Sequence, residues 1–316
     1  ISIDKKNLFK YSIHHYFKLE DIEEFIPYLW TSSYGLLRTL FLFKKNKIEK
    51  KEIEEYIKRV HGVLGKHAFT NEKLSEKIKY KLEWLKDYES EILEVFKEDG
   101  DPLLGSLRIG KHEQNNGEEP GIYLHYTTKW IFALIKTSQI LQNEIYLFQA
   151  CNIMLTMSEK NVFPGTNNKY PRKMDQELQE PLQMNEISHD PLDVFITLLN
   201  LIISLNKNIK NIKPNNIKNK NEKKINKIRE IYINLLIKAL EKNIPRIIEY
   251  NKNPNSLNTN DILGIGFLLT SCYKIRIILN KQRSKMLDTV FTKMSYKKNK
   301  FSKLINELYK NLLFVS

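Results

Sequence analysis

Apolar residues recur three and four positions apart through most of this chain, which is the period of an amphipathic helix. The stretch Lys50–Leu64 is typical, because Ile53, Ile57 and Val60 share one face and Gly65 follows as a stop. No segment shows a sustained alternation of apolar and polar residues with a period of two. The pattern therefore predicts helices and no strands.

The predicted helices are joined by loops, some of them long and irregular. Glycine and proline number only eleven and ten in 316 residues, which argues against a β-sandwich or barrel with its many turns. A strong helix is expected to begin at Asp190, and a short helix or turn is expected after Lys173. The other predicted helices span 7–19, 19–30, 34–43, 50–64, 121–141, 143–157, 225–242, 244–250, 259–279, 281–294 and 301–313. The heavily charged stretch 71–98 predicts a surface helix or a pair of helices.

An all-α protein of this size usually forms a solenoid, a large bundle or a ring of helical hairpins. No repeat of fixed length occurs. Polar and aromatic motifs on the irregular loops favour the ring, in which loops and helix ends surround a central cleft. We predict one domain over residues 1–316, with a Lys/Asn-rich surface insertion at about 206–224. Because the chain begins with Ile1, the ring could be incomplete at its N-terminus.

The formal net charge is +14, which would suit a nucleic-acid binder. The excess is mostly lysine in polar runs, whereas base readout prefers arginine, so nucleic acid is an unlikely partner. Cys151 and Cys272 lie far apart in apolar surroundings, which favours a reducing cytoplasm. No apolar stretch reaches the ~20 residues that a membrane span needs. No metal or cofactor is predicted, and the sequence carries no signal for an oligomer.

Candidate chemistry begins with a predicted helix that carries two pairs of residues at i and i+4. His125 and Lys129 share one face, and Tyr126 and Trp130 share the adjacent face. Aromatic rings with a few convergent polar groups would suit a sugar or another polyhydroxylated ligand. The alternative is an amphipathic helix whose aromatic residues are core and whose Lys129 reaches outward to water.

A second candidate lies at the start of the next strong helix. Asp190 fits the N-cap, Pro191 fits the first helical position, and Asp193 fits N3 of a capping box. Capping could therefore explain both acids without any catalysis. His189 is not explained by capping, and a histidine beside a helix N-terminus is a candidate for proton transfer.

Carboxylates and cations elsewhere could complete a site. Asp175 and Glu177 lie near Lys173, and an acid with a carboxylate is the minimum for glycoside hydrolysis. Such a polar turn is more often plain surface. Arg108 and Lys111, near a glycine turn, could bind a carboxylate or phosphate.

Several short motifs occur together in a particular order, and the resemblance that they carry covers about residues 30 to 205. The motifs are Val60–His67, Leu107–Lys111, His125–Trp130, Lys173-Met174 and His189–Asp193. Together they resemble an uncharacterised prokaryotic protein family that looks related to the six-hairpin glycosidase-like superfamily. The resemblance implies an (α/α)6 toroid and a glycoside hydrolase, lyase or epimerase-like activity. The chain departs from the family at Glu180, where an arginine is expected, which implies altered substrate preference or lost activity.

The hypothesis is thus a carbohydrate-active enzyme that applies general acid–base chemistry to a small-molecule or glycan ligand. The alternatives are a non-catalytic toroid that binds a ligand or a protein partner, and a nucleic-acid binder. The expected catalytic residues are His189, Asp190, Glu177 and Asp175. The expected substrate-binding residues are Arg108, Lys111, His125, Tyr126, Lys129, Trp130, Lys173 and Asp193.

Overall fold

A computed structural model describes residues 26–97, 101–110, 119–159, 170–184, 189–210, 220–257, 262–279 and 298–315. These ranges are mostly helical, which confirms the fold class predicted from the hydrophobic pattern in its coarse form. The helices predicted at 7–19 and 281–294, most of the one at 19–30, and Lys111 lie outside the described residues.

Ten α-helices and three short strands occur in these ranges. In chain order they are α1 (Leu29–Lys44), α2 (Lys50–Leu64), α3 (Leu74–Ile78), α4 (Glu89–Val95), β1 (Gly121–Tyr123), α5 (Leu124–Leu141), α6 (Ile145–Met157), β2 (Lys173–Asp175), β3 (Pro181–Gln183), α7 (Asp190–Lys210), α8 (Lys220–Lys252), α9 (Ile262–Leu279) and α10 (Lys298–Val315). Short 3-10 turns follow α3 and α8. Within this part of the chain, no helix is long and apolar enough to cross a bilayer.

Helix α2 begins and ends where its pattern predicts. Its apolar face is buried, and Gly65 follows as the C-cap, with its amide donating to the His61 carbonyl at 3.0 Å. A capping box closes the other end, where the Glu49 amide donates to the Glu52 carboxylate at 2.8 Å. Local signals at both ends agree with the periodicity, so this helix could be predicted from its own residues.

Helix α1 differs from its prediction at the N-terminus. The sequence predicts a helix that begins at Tyr34, but the helix begins at Leu29, and Thr31, Ser32 and Ser33 lie inside it. Ser33 donates its hydroxyl proton to the Leu29 carbonyl one turn back, at 2.8 Å. Because such a bond satisfies the hydroxyl within the helix, these residues do not end it.

The charged stretch 71–98 forms a helix pair, α3 and α4, which is one of the two predicted forms, and Leu82 and Leu85 between the two helices are also buried. The boundary predicted between 225–242 and 244–250 was wrong, because the two segments form one helix, α8, that continues through Pro245. Buried Ile244 and Ile247 flank this proline, so packing supports the helix there.

A small antiparallel sheet in the order β1-β2-β3 was not predicted. Ile122 pairs with Met174 in β1 and β2, and Lys173 pairs with Gln183 in β2 and β3. Gly121 is required at the edge, because a Cβ there would lie 2.5 Å from the Met174 carbonyl oxygen. Strands of three residues are too short to show an alternating pattern, which explains the missed prediction.

The core lies around α6, whose residues are all buried from Ile145 to Met157. Helix α5 packs against α1, α6 and α7, while α7 also packs against α8 and α9. A helix that is buried on every side has no apolar stripe, and α6 is accordingly apolar nearly all round.

Residues 101–110, which we call the buried connector, run through this core without helix or strand. Buried backbone polar groups need partners, and a row of polar side chains on α6 supplies them for the carbonyls. These bonds join Gln149 to Asp101, Asn152 to Pro102 and Thr156 to Leu104, at 2.9, 2.6 and 2.7 Å.

The second half of the buried connector joins three elements through backbone bonds. The Arg108 amide donates to Leu64 at the end of α2, and the Ile109 amide donates to Gly121 in β1, both at 3.0 Å. The Ile109 carbonyl accepts from the Leu29 amide at the start of α1, also at 3.0 Å. The ends of α1, α2 and β1 are therefore held side by side.

Substitution of Asn152 tests the link between α6 and the buried connector. Asn152 donates to the Pro102 carbonyl and accepts from the Tyr232 hydroxyl, each at 2.6 Å. Asn152→Ala leaves both groups buried without this partner, and we expect a loss of about 2–5 kcal/mol in the free energy of urea unfolding. The matched control Asn306→Ala removes an exposed asparagine from α10 and should change it by less than about 0.5 kcal/mol. Equal losses in the two variants would contradict this role.

Candidate functional site

The centre of the candidate site is Asp190, a fully buried carboxylate between two imidazoles. Its Oδ1 atom lies 3.5 Å from His125 Nδ1 and 3.8 Å from His189 Nε2. The two imidazole rings lie 6.1 Å apart, centroid to centroid. His125 and the adjacent pair His189 and Asp190, which were predicted from two separate motifs, therefore meet in one place, and we call these three residues the histidine–aspartate cluster.

The first turn of α7 carries the acids of the site. The Asp193 amide donates to the His189 carbonyl at 2.9 Å, so His189 occupies the cap position and Asp190 is the first helical residue. The predicted cap was thus one residue too late. Asp193 does not close a capping box, because its side chain reaches Lys129 on α5 instead. Both carboxylates still lie at a helix N-terminus, where the helix dipole stabilises negative charge.

Lys129 and Asp193 form a buried ion pair next to the histidine–aspartate cluster. Lys129 Nζ donates to Asp193 Oδ2 at 2.5 Å, and the Ser271 hydroxyl donates to Asp193 Oδ1 at 3.4 Å. Burial raises the pKa of Asp193, but the ammonium groups of Lys129 and Lys274 outweigh it and hold the pKa below its ordinary value. Lys129 is only 7% exposed, so the interpretation that it reaches out to water was wrong.

Four aromatic residues surround the cluster, and we call them the aromatic shelf: Tyr28, Trp30, Tyr123 and Tyr126. The ring of Trp30 lies 5.2 Å from Tyr126 and 6.1 Å from His125. The ring centroids of Tyr123 and His125 lie 5.5 Å apart. The hydroxyl oxygens of Tyr28 and Tyr126 are hydrogen-bonded to each other at 2.5 Å. Burial raises the pKa of Tyr126, and the hydrogen bond with the Tyr28 hydroxyl raises it further, so the Tyr126 hydroxyl stays protonated.

Tyr28 and Trp30 were missed by the sequence analysis. They lie at the start of α1, far along the chain from His125, and no local motif contains them. The buried connector brings them to the site through the bond between Leu29 and Ile109. The sequence does place an aromatic residue on either side of Leu29, where α1 begins. This pattern does not indicate which part of the chain the two rings contact.

Lys173 joins the same region from the sheet. It is buried, and its ammonium lies 5.4 Å from the centroid of the Tyr123 ring, with Arg172 above the same ring at 5.9 Å. Cations over an aromatic face are attracted by the ring quadrupole. The cationic side of the shelf is therefore built by β2.

The imidazole of His125 is neutral at neutral pH. Burial lowers its pKa to about 3, with further lowering from the nearby His189 and Lys129. A neutral imidazole can accept a proton, which is the property that a general base requires.

Trp130 belongs to the core, as the structural alternative proposed. It is fully buried, and its indole N–H donates to His61 Nε2 at 3.0 Å. Burial lowers the pKa of His61 to about 3, which keeps this nitrogen unprotonated and able to accept. His61 borders a separate cavity of about 570 Å³, together with Tyr146 and Gln149.

Arg108 supports the backbone at the end of α2. Its Nε donates to the Lys66 carbonyl at 2.9 Å, and its Nη2 donates to the Val63 carbonyl at 3.3 Å. The second bond satisfies a carbonyl in the last turn of α2, where a helix leaves its carbonyls without partners, and the first holds the residue after the C-cap. Its guanidinium is thus directed at α2, and Lys111 lies outside the described residues.

Glu177 and Asp175 shape the turn between β2 and β3. Glu177 pairs with Lys77 and Lys81 at 3.3 and 3.5 Å. Asp175 accepts the Gln179 amide at 2.7 Å, and burial raises the pKa of its carboxyl. The structure therefore places these two acids in a turn and with surface lysines, not with the histidine–aspartate cluster.

A cavity of about 670 Å³ lies beside the cluster, between α1, α5, α7 and α9. Trp30 and Lys129 belong both to its lining and to the surroundings of His125 and Asp193. The cavity is of the size that small-molecule sites have. In the described ranges, no group of three or more His, Cys, Asp or Glu side chains could hold a metal ion.

Comparison with known proteins adds no relative. No family model matches the sequence, no curated protein matches it, and no solved structure matches the fold.

The pKa of His61 predicts how stability responds to acid. Because the folded pKa lies near 3 and the ordinary value is 6.5, the unfolded chain binds this proton first as the pH falls. Stability is therefore full above pH 6.5 and falls below it, by about 1.4 kcal/mol per pH unit for this group. His61→Gln keeps an acceptor for the Trp130 indole but does not titrate. We expect its urea unfolding free energy to fall less between pH 7 and pH 5, by up to about 2 kcal/mol. Parallel pH profiles would show that His61 titrates normally.

Proposed function

We propose that this chain is an enzyme that applies general acid–base chemistry to a small, ring-bearing polar molecule such as a carbohydrate. The observation that carries the proposal is the buried Asp190 carboxylate with an imidazole on either side, at 3.5 and 3.8 Å. A carboxylate in this position orients an imidazole and fixes which of its nitrogens carries the proton.

The two histidines face Asp190 through different nitrogens, Nδ1 of His125 and Nε2 of His189. A carboxylate favours the proton on the nitrogen that faces it, which makes Nε2 of His125 the basic nitrogen. In the proposed reaction His125 abstracts a proton from a substrate carbon, and the imidazolium that results, stabilised by Asp190, returns this proton to the product.

The acids of the site argue against hydrolysis by two carboxylates. That mechanism needs a carboxylic acid and a carboxylate that both face the substrate. Asp193 is engaged by Lys129, and Glu177 is engaged by Lys77 and Lys81. Within the activities that the motif resemblance suggests, a lyase or epimerase that abstracts a proton from carbon fits the imidazoles better than a glycoside hydrolase.

The aromatic shelf and the cavity support a ligand with a ring. Sites for small molecules are lined mostly by apolar and aromatic side chains, with a few polar groups that set the orientation. Trp30 provides such a wall, Lys129 provides a polar group in the same cavity lining, and Lys173 provides a cation over the Tyr123 ring of the shelf. The (α/α)6 ring belongs to the same proposal; it is supported by the packing of described helices in pairs, α1 with α2, α5 with α6 and α7 with α8.

A non-catalytic binding protein is the second candidate, and the burial of the two imidazoles favours it. His125 is 8% exposed and His189 is 5% exposed, whereas a proton-transfer group has to reach its substrate. In that case the cluster would stabilise the junction of α5 and α7, and the cavity would bind a ligand without converting it.

Asp190→Asn separates the two candidates. A panel of neutral and acidic mono- and disaccharides is incubated with the protein in D2O, and NMR follows new products and the exchange of carbon-bound hydrogen. We expect exchange or product with the wild-type protein and a rate about 10²- to 10⁴-fold lower with Asp190→Asn, because the imidazoles lose their orienting carboxylate.

The matched control is Glu177→Gln, which removes an acid that lies in the β2–β3 turn and should keep the wild-type rate. Turnover that Asp190→Asn leaves unchanged would contradict the proposed role of the cluster. Binding without any exchange or product in the wild-type protein would favour the binding protein.

A further inference from the structure

The cavity beside the cluster, which we call the lysine pocket, combines aromatic walls with cations. Trp30 and Tyr34 line it from α1, Phe132 from α5 and Tyr273 from α9. Lys129 and Lys136 enter from α5, and Lys274 enters from α9. Among the described residues that line the pocket there is no carboxylate.

The described residues in and behind the lining of the lysine pocket carry more positive than negative charge. Asp193 lies behind the lining and is engaged by Lys129 at 2.5 Å. Three ammonium groups, those of Lys129, Lys136 and Lys274, lie in the lining. The ammonium groups of Lys136 and Lys274 lie 5.2 and 4.9 Å from the centroid of the same Phe132 ring. One aromatic ring therefore holds two cations in the same part of the pocket.

The surroundings of Lys274 do little to balance its charge. It is partly buried, and within the described chain no carboxylate lies within 4 Å of its ammonium. Lys136 differs, since it donates to the neutral Gln139 side chain at 3.5 Å. Burial, together with Lys129 and Lys136, lowers the pKa of Lys274 to about 8 although Asp193 opposes this. A partly buried cation with little negative charge around it is stabilised when an anion enters its pocket.

We propose that the lysine pocket binds the carboxylate or phosphate group of a small molecule, with Lys136 and Lys274 as its ligands and the aromatic walls against the rest of the molecule. The inference rests on the proposed function in one respect, since it takes the pocket as the place where the substrate lies. It adds that the substrate is an anion.

The position of the anion relative to the cluster defines its role. His125, Lys129, Phe132 and Lys136 follow one another along one face of α5, three and four residues apart. At 1.5 Å per residue, the Lys136 end of this row lies on the order of 10 Å or more from His125. The anionic group therefore serves recognition at one end of an elongated ligand, while the chemistry takes place at the other end.

Calorimetric titration of the whole chain with glucose, glucuronate and glucose 6-phosphate tests the inference at low salt. We expect at least one of the two anions to bind at least about tenfold more tightly than glucose. The stronger anion identifies the group as a carboxylate or a phosphate. Equal affinity for the three probes would overturn the proposal.

Variants assign the binding to the two lysines. Lys274→Met and Lys136→Met should each weaken the anion by about tenfold or more, and Lys274→Arg should keep it because the charge is retained. Lys45→Met is the matched control, since this exposed ammonium also lies near a ring, 5.7 Å from Phe41, but outside the pocket. Anion affinity that survives both Lys274→Met and Lys136→Met, in variants that unfold at the wild-type urea concentration, would also overturn it.

Failure of this inference can be told apart from failure of the proposed function. Asp190→Asn should bind the anion like the wild-type protein even if it converts nothing, because Asp190 does not line the pocket. Anion binding without turnover would support the inference and contradict the proposed enzyme activity. Turnover of a neutral sugar without anion binding would contradict the inference and support the proposed enzyme activity.

Discussion

The structure depends above all on the satisfaction of a buried, irregular backbone. The buried connector, residues 101–110, crosses the core without forming a helix or a strand, apart from one β-bridge between Gly110 and Tyr28. A buried amide or carbonyl without a partner is costly, so each has to be met by another part of the molecule. A row of polar side chains on α6 meets the first carbonyls, and the ends of α1, α2 and β1 meet the groups around Ile109. The same bonds also shape the candidate site, because they bring the Trp30 ring beside the His125 ring.

Burial also governs the electrostatics of the candidate site. It lowers the pKa of His125 to about 3, while at Asp193 the cations outweigh it. Polar groups inside a core stabilise a fold less than well-packed apolar groups of the same size would, unless each one is paired. Here they are concentrated where α5 and α7 meet, beside a cavity with aromatic walls. That concentration is the observation on which the proposed roles in ligand binding and proton transfer rest.

Sequence patterns were sufficient where the cause is local. Helix α2 could be predicted in full, since its apolar stripe, capping box and terminal glycine lie within its own residues. His125 was also identified as a candidate, from its i, i+4 spacing to Lys129, and His189 and Asp190 were identified from their positions at a helix start. Contacts between distant parts of the chain could not be predicted. Trp130 and Arg108 looked like ligand-binding residues, but the first bonds to His61 and the second to the end of α2. The strands β1 to β3 are too short to carry a period, and Tyr28 and Trp30 reach the site only through the buried connector.

Hydrogen exchange at individual backbone amides tests most directly whether the buried connector holds the site together. The amides of Leu29, Arg108 and Ile109 donate to Ile109, Leu64 and Gly121, each at 3.0 Å. If the connector clamps these elements, the three amides exchange only when the whole protein unfolds, as slowly as the amide of Ile153 in the middle of α6. Exchange as fast as that of the exposed turn at Asn46 would show that the connector opens on its own, and would contradict its role in positioning the site.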